Sequence, residues 1–291
     1  MSRNHRLIAV VTALGTATAG LVAGALAGPA QANTATATQT VEVFVKRDHN
    51  VDMSTTELQP GVTKFAISSR RSAGFQIAQA ASGYNKREAA RDINRAFNEN
   101  NLRALRRFEA NMTLLGGMPT TAKKSATMSV KLAEGTYWAL DTMPRRLDPA
   151  KILEFTVAGE SVGGRLSGHV IRATGEHKWG KASPRIPTRG RIVFRNPSSA
   201  PHFIAIVKLA RGKTMKDFRA WINEQKQGNQ SPPPVNFNVT LDTGVITTGQ
   251  SMAFKYRLPR GRYVLTCWWP DSNMGGMPHA LMGMYRGLRV G

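Results

Sequence analysis

Residues 261–267 read Gly-Arg-Tyr-Val-Leu-Thr-Cys, and residues 135–141 of the same 291-residue chain read Gly-Thr-Tyr-Trp-Ala-Leu-Asp, 126 positions earlier. A second pair of stretches has almost the same offset of 127: Ser-Ala-Gly-Phe-Gln-Ile-Ala at 72–78 and Ser-Ala-Pro-His-Phe-Ile-Ala at 199–205. An offset that stays constant over so long a span indicates a tandem duplication. We therefore predict one domain at residues 40–158 and a second at 165–291, with a short glycine-rich linker around 158–164.

Both predicted domains show short runs of alternating apolar residues, which are typical of β-strands. The runs are Val41–Val45, Phe65–Ile67, Met128–Leu132 and Tyr137–Ala139 in the first copy, and Ile192–Phe194, Ile204–Ile206, Met252–Tyr256 and Tyr263–Leu265 in the second. Turn pairs such as Pro60-Gly61 and Thr243-Gly244 separate them. Many short strands with regular turns predict a mainly β protein built from two β-sandwiches.

One helix is predicted to interrupt each copy. In the second copy, Thr214 and Asp217 have the spacing of a capping box. In the first copy, a helix from Asn85 to Ala110 has one apolar face and one basic face, whose arginines are Arg91, Arg95, Arg103, Arg106 and Arg107. An amphipathic helix packed on the sandwich explains this pattern most simply, and a docking face for an anion is the alternative.

Cys267 is the single cysteine of the chain, so it forms no internal disulfide. It is an inert buried residue, an intermolecular link, a catalytic thiol or a metal ligand. Two histidines, His202 and His279, and the methionine Met284 lie in the same predicted domain. One thiolate, two imidazoles and one thioether are the donors of a blue copper site. This combination favours the metal-ligand interpretation.

The second copy resembles the cupredoxin family of blue copper proteins. The resemblance rests on Gly-x-Tyr-x-x-x-Cys at 261–267, on Pro-His-x4-Met at 278–284 and on the approach Asn-Pro-Ser-Ser-Ala-Pro-His at 196–202. It implies two tandem cupredoxin-like Greek-key β-sandwiches. It also implies one type 1 copper ion held by His202, Cys267, His279 and the axial Met284.

Three details qualify this assignment. Met274, Met277 and Met282 lie close to Met284 in the sequence and could replace it as the axial ligand or capture Cu(I). Asn196 is a candidate for fixing the turn before the first histidine. In the first copy, Phe75 and Asp141 stand at the positions of the first histidine and the cysteine, so we expect that copy to have the fold without the metal.

The N-terminus and the charge indicate where the protein acts. Residues 1–32 have a basic start, an apolar stretch and an Ala-Gln-Ala cleavage signal, which predict a secretory signal peptide. No later stretch is long enough for a membrane span. The net charge is +22, or +20 without the two arginines of the predicted signal peptide. We expect a secreted or cell-envelope protein whose partner is an acidic redox protein or an anionic envelope polymer. No nucleic-acid motif accompanies the charge.

A trinuclear copper oxidase lacks support in the sequence. Trinuclear copper oxidases need His-x-His pairs, and the sequence contains none. We interpret His49, His169 and His177 as surface or turn residues rather than as ligands of a further copper site. We therefore predict an exported copper protein that transfers single electrons, and favour a carrier or binding protein over an enzyme. The alternatives are a non-redox binding or structural module of the cell envelope and a Cu(I) capture or storage protein.

Overall fold

The computed structural model describes residues 38–181 and 183–291. The predicted signal peptide at 1–32 lies outside these residues. The strands are β1 (Gln39–Val45), β2 (Val51–Met53), β3 (Glu57–Leu58), β4 (Gly61–Ser69), β5 (Ala73–Ala80), β6 (Met112–Thr120), β7 (Ala126–Leu132), β8 (Gly135–Asp141), β9 (Leu153–Val157), β10 (His169–Gly175), β11 (Lys178–Trp179), β12 (Arg185–Ile186), β13 (Arg189–Arg195), β14 (Ala205–Leu209), β15 (Val235–Asp242), β16 (Ser251–Arg257), β17 (Gly261–Thr266) and β18 (Tyr285–Val290).

These strands form three sheets. The largest has eight strands in the order β11-β10-β13-β16-β7-β4-β1-β2, and two five-stranded sheets have the orders β3-β9-β8-β5-β6 and β12-β18-β17-β14-β15. The alternation of apolar residues that predicted the strands also determines which face of each strand is buried. In β1, for example, Val41, Val43 and Val45 are buried while Glu42 is exposed. The apolar faces of the sheets meet in a continuous core.

The two halves of the chain, β1–β9 and β10–β18, share one strand order. Adding nine to each strand number of the sheet β3-β9-β8-β5-β6 gives β12-β18-β17-β14-β15, and the two halves of the large sheet are related in the same way. A side-chain contact repeats as well. The hydroxyl of Tyr137 donates to the carbonyl of Ala133, and the hydroxyl of Tyr263 donates to that of Pro259. Each half is thus one sandwich of the same plan.

The two sandwiches are joined edge to edge through the eight-stranded sheet. β7 of the first half pairs antiparallel with β16 of the second, with Met128 opposite Phe254 and Val130 opposite Met252. The described residues, 38–181 and 183–291, accordingly belong to one compact unit. The predicted mainly β fold class, built from two β-sandwiches, is confirmed. The residue bounds 40–158 and 165–291 stay a prediction.

Three α-helices are present in the described part of the chain, α1 (Lys86–Asn98), α2 (Leu102–Asn111) and α3 (Met215–Lys226), together with a 3₁₀ turn at Pro149–Lys151. The capping box predicted at the start of α3 is confirmed, since the Thr214 and Asp217 side chains each bond the other residue's backbone. The prediction of one continuous helix in the first half was wrong. Asn100 adopts a positive φ of 50°, and Asn101 caps the second helix. Asparagine tolerates both roles, so the chain breaks there.

Within the described residues, none of the helices combines the length and the apolar character that crossing a bilayer requires.

Candidate metal centre

Three of the four predicted ligands meet in the core of the second half. The Sγ of Cys267 lies 3.6 Å from Nδ1 of His202 and 3.6 Å from Nδ1 of His279, and the two nitrogens are 3.1 Å apart. All three side chains are buried. A triangle with these sides has a circumscribed circle with a radius of about 2.0 Å. Bonds from zinc, copper's neighbour in the periodic table, to imidazole and thiolate are about 2.0–2.3 Å long. The donor atoms therefore fit one transition-metal ion.

The backbone fixes the segments that carry these donors. His202 exchanges two backbone hydrogen bonds with Ile246, and Cys267 follows the end of β17 directly. His279 and Met284 lie in the loop between β17 and β18. In that loop, the N–H of Met284 donates to the carbonyl of His279, and the N–H of Cys267 donates to the carbonyl of Met284. One loop between two paired strands thus holds three of the predicted ligands.

A hydrogen-bond relay sets the tautomer of His202. The Ser198 hydroxyl donates its proton to Oδ1 of Asn196 at 2.6 Å. Oγ of Ser198 therefore accepts from Nε2–H of His202 at 2.9 Å. Nδ1 of His202 is then left unprotonated and faces the sulfur. Asn196 in turn donates from its amide to the carbonyls of Ala200 and Ile246. The structure thus supports the predicted role of Asn196 in fixing this turn. Such partners orient a metal-binding imidazole.

The electrostatics of the site suit a metal ion. Burial lowers the pKa of His202 to about 3 and that of His279 to about 4, so both imidazoles are neutral near pH 7. Burial raises the pKa of the Cys267 thiol to about 12, although the backbone N–H groups of Phe203 and Trp269 act in the opposite direction. The thiol thus keeps its proton at pH 7 until a metal displaces it.

The four methionines near the site differ in burial. Met284 is completely buried in the core beside Cys267, whereas Met274 and Met277 are 56% and 42% exposed. Met282 is half-buried. Burial makes Met284 the methionine best suited to an axial position, and its role as a ligand stays a prediction.

The first half of the molecule supports both segments that carry predicted ligands, namely the segment at His202 and the loop that follows Cys267. Thr247 and Gly244 donate from their backbone to the carbonyls of Leu114 and Gly117 in β6, which ties the Ile246 segment behind His202 to the first sandwich. The Gln76 side chain adds two bonds to the backbone of Val245. The position of the first histidine therefore depends on contacts across the two halves.

Helix α2 supports the other segment. The carboxylate of Glu109 accepts from the indole N–H of Trp269 and from the hydroxyl of Ser272, both at 2.7 Å. Arg106 donates to the carbonyl of Ser272 at 2.6 Å, and the ring of Phe97 meets Trp269 edge-on with centroids 5.7 Å apart. Burial raises the pKa of Glu109 above its ordinary value. The helix pair of the first half therefore braces the loop that follows Cys267.

A second pair of side chains covers the outer side of His279. The imidazole of His177 lies edge-on to that of His279, with centroids 5.1 Å apart, and its Nε2 bonds the carboxylate of Asp271 at 2.7 Å. Beside His279 lies a cavity of about 140 Å³, whose wall includes Glu109, Glu176 and Asp271. The interpretation of His177 as a simple turn residue was incomplete, because it lies in a turn yet packs on a predicted ligand.

The corresponding position in the first half is filled differently. Asp141 accepts hydrogen bonds from the backbone N–H of Gly74 and Met143 and bonds the side chains of His49 and Arg71. Burial raises the pKa of Asp141, yet these hydrogen bonds outweigh it and hold that pKa below its ordinary value. Phe75, opposite Asp141 across β5 and β8, is buried. In the first half, the ion-paired Asp141 therefore stands at the position that corresponds to Cys267. The ring of Phe75 stands at the position that corresponds to His202.

Sequence reasoning missed Ser198, Glu109 and the packing of His177. Ser198 lies within the quoted motif at 196–202, so its closeness to His202 was a usable signal. Glu109 and His177 are 160 and 94 residues away from their partners, and no sequence pattern marks those contacts.

Solved structures similar to this chain include two kinds of copper protein. Auracyanin from the photosynthetic bacterium Roseiflexus castenholzii is 23% identical, covers 42% of this chain and 94% of its own, and gives a TM-score of 0.27. Auracyanin A, described as a blue copper protein from Chloroflexus aurantiacus, is 15% identical over 42% of this chain and 96% of its own, with a TM-score of 0.27. A multi-copper oxidase from Pediococcus acidilactici is 8% identical over 87% of this chain and 59% of its own, with a TM-score of 0.22. Neither a protein-family model nor a curated protein sequence matches the chain.

Proposed function

We propose that this protein binds one copper ion at His202, Cys267 and His279, with Met284 as the axial ligand, and transfers single electrons. The observation that carries the proposal is the triangle of two imidazole nitrogens and one sulfur, whose sides match a single metal ion. The donor types select among metals. A thiolate and a thioether are soft ligands that favour copper, and two imidazoles suit both of its oxidation states. Bound there, copper would accept and donate one electron.

The chain's own residues prepare the site for this task. His202 is held by Ser198 and Asn196, and Cys267 and His279 are held by the backbone of one braced loop. Because the donors already lie at bonding distance from one point, little movement is required when the ion enters or changes charge. Small reorganisation favours electron transfer over chemistry on a bound substrate.

The proposed partner and location follow from charge and from the N-terminus. An export signal at 1–32 would deliver the protein to the cell envelope or the exterior. The net charge would attract an acidic redox protein or an anionic envelope polymer. Arg103 and Arg106 are exposed on α2. Arg106 already contacts the loop at 267–284 between β17 and β18, here called the ligand loop, through the carbonyl of Ser272. We place the docking of an acidic partner on this side of the loop.

Adding Cu(II) to purified metal-free protein tests the proposal. It should produce an intense blue thiolate-to-copper band at one ion per chain, with a reversible one-electron potential. Cys267→Ser should remove the colour while the circular dichroism spectrum stays unchanged. A colourless wild-type protein that binds purified envelope polymer with or without metal would instead identify a non-redox binding module.

The exposed methionines of the ligand loop favour a second candidate function, Cu(I) capture. Large apolar side chains are normally covered, yet Met274 and Met277 are 56% and 42% exposed beside the site. If they capture Cu(I), replacing both by leucine should weaken Cu(I) binding, measured by chelator competition, without changing the blue band. Unchanged Cu(I) affinity would eliminate this function.

A further inference from the structure

A cavity of about 470 Å³ lies between helix α1 and the ligand loop of the second half, with Phe97 and Trp269 both in its lining. Its volume lies within the range of small-molecule sites, roughly 300–1,000 Å³, which often lie between domains. One wall is a single face of α1, formed by Ala89, Ile93 and Phe97. The floor is the outer face of β5, β6 and β8, and the opposite wall comes from the second half. The cavity is therefore built by both halves of the chain.

Aromatic rings line the cavity from several directions. They belong to Phe97, Phe108, Trp138, Phe203, Trp268 and Trp269. Phe97 is a large apolar side chain that remains 51% exposed. Rings surrounding a space from different sides favour a planar aromatic guest, because offset and edge-on ring pairs add to the free energy of apolar burial. The shape and lining thus suit a flat ring system better than a polar guest.

The polar groups that line the interior already have partners. The Asn94 amide makes two bonds with the backbone of Leu147, and the Gln76 amide bonds Val245 and Ile77. The Asp141 carboxylate is held by the four contacts described above. A ligand in the cavity would therefore find few free hydrogen-bonding groups in its interior.

Arg145 is the exception. It belongs to the cavity lining and is exposed, and its guanidinium makes no hydrogen bond or ion pair with any residue of 38–181 or 183–291. A guanidinium offers five N–H donors and prefers carboxylates and similar anions. The adjacent Arg146 is also exposed and does not line the cavity. An apolar interior with one unpaired cation specifies an apolar ligand with one anionic group.

From this arrangement we infer that the cavity binds a planar aromatic organic anion, with its rings between α1 and the tryptophans and its anionic group on Arg145. The site lies close to the metal centre. Phe203 and Trp269 line the cavity, and their backbone N–H groups also face the sulfur of Cys267. A ligand bound in the cavity would therefore change the surroundings of the Cys267 sulfur through these two residues. The binding itself depends only on the fold, and it does not require copper.

Titration of the mature chain with 1-anilinonaphthalene-8-sulfonate tests the inference, in both metal-free and copper-loaded protein. Trp138, Trp268 and Trp269 should report binding through their fluorescence. We expect one site per chain with a dissociation constant on the order of tens of micromolar, as for other ligands of about twenty heavy atoms. Because metal-free protein is included, a missing site and a missing copper function are distinguishable.

Matched variants locate the site. Arg145→Gln should weaken binding roughly threefold to tenfold, the range of one charge-assisted, partly exposed contact, and Arg146→Gln should leave it unchanged. The uncharged analogue N-phenyl-1-naphthylamine should bind equally to wild type and Arg145→Gln. Val245→Trp, which fills the cavity at a half-buried position, should abolish binding while the circular dichroism spectrum stays that of wild type.

Three results would overturn the inference. One is no saturable binding to the folded wild-type protein. Another is equal weakening by Arg145→Gln and Arg146→Gln, which would indicate general attraction to a basic surface. The third is displacement by decanoate at lower concentrations than the naphthalene probe requires, which would show that the cavity prefers an acyl chain to a ring.

Discussion

Glu109, on helix α2 of the first sandwich, accepts a 2.7 Å hydrogen bond from the indole of Trp269, two residues beyond the cysteine of the second. The same Trp269 contributes its backbone N–H toward the sulfur of Cys267 and its carbonyl to the N–H of His279. One residue thus connects the first half of the chain to two predicted metal ligands. The first half, which lacks a complete ligand set of its own, therefore contributes to the site in the second half.

Replacing Glu109 by alanine should loosen the ligand loop. The indole of Trp269 and the hydroxyl of Ser272 lose their acceptor, and a buried donor without a partner costs about 1–3 kcal/mol. We expect a lower free energy of unfolding by that amount and faster loss of copper to a chelator. Glu109→Gln keeps an acceptor for only one of the two donors and should give an intermediate result.

Glu99→Ala is the matched control for this prediction. Glu99 pairs with Arg95 at the exposed end of α1, and surface pairs of this kind contribute little. If both alanine variants release copper at the wild-type rate, the contact between Glu109 and the loop does not support the site.

Copper binding should release one proton per ion at pH 7. The pKa of the Cys267 thiol is about 12 and those of His202 and His279 are about 3 and 4, so in metal-free protein the thiol is protonated and the imidazoles are neutral. Affinity for Cu(II) should therefore rise about tenfold per pH unit between roughly pH 5 and pH 11. Calorimetry in two buffers with different ionisation enthalpies measures the proton, and chelator competition measures the slope.

Acid should steepen this dependence only near pH 4. Protons then compete for His279 first and for His202 below that pH, because burial keeps both pKa values low. A break near pH 6.5, the ordinary pKa of histidine, would instead mean that the imidazoles are in contact with water.

Much of the fold could be predicted because the sequence repeats its own strand pattern. The strands around Val41–Val45 and Phe65–Ile67 alternate buried and more exposed residues as expected, whereas Tyr263–Leu265 is buried throughout. The offset of about 126 reappears as one strand order in both halves. The meeting of Cys267 and His279 could be predicted because one loop between β17 and β18 carries both residues. Local spacing carries this information.

Contacts between the halves could not be predicted in the same way. The pairing of β7 with β16 and the contact of Glu109 with Trp269 depend on how two sandwiches pack, and neither leaves a periodic signal. The break at Asn100 was missed for a different reason. Its flanking segments continue the apolar face of a helix, while asparagine's tolerance of a positive φ decides the local geometry.

Removing the hydroxyl of Ser198 should weaken copper binding without unfolding the protein. Ser198→Ala removes the side-chain acceptor of Nε2–H of His202 and weakens the constraint on the ring tautomer. Losing such a partner of a metal-binding histidine typically costs 10- to 100-fold in affinity. Chelator competition measures the loss. Ser199→Ala, at an exposed neighbour bonded to Glu176, should retain wild-type affinity, and equal effects of the two variants would contradict the relay.

Asp141→Asn should destabilise the first sandwich and leave the copper site intact. Its charge is buried beside Arg71, and removing one member of a buried pair costs several kcal/mol; partial exposure of Arg71 reduces this to about 2–3 kcal/mol. The folded-state pKa of Asp141 is lowered, so its stabilisation is present above the unfolded value near 4 and is lost as the pH falls further.

Urea unfolding at pH 7 and at pH 3 measures this difference, which should be largest at pH 7. Glu154→Gln, which removes an exposed pair with Lys86, is the control and should change the free energy of unfolding only slightly. An Asp141→Asn protein with undiminished stability at pH 7 would mean that the ion pair contributes nothing net.

Met284→Leu should raise the reduction potential while the protein stays blue. Met284 is completely buried beside Cys267, and leucine fills nearly the same volume without a sulfur lone pair. Even a weak additional donor stabilises the doubly charged Cu(II) more than Cu(I), because the charge of the ion is higher. Loss of the thioether therefore favours the reduced ion and raises the potential, which the axial ligand tunes. Voltammetry measures the shift. Met282→Leu, at a half-buried position in the same loop, should leave the potential unchanged. A shift in Met282→Leu with none in Met284→Leu would move the axial position to Met282.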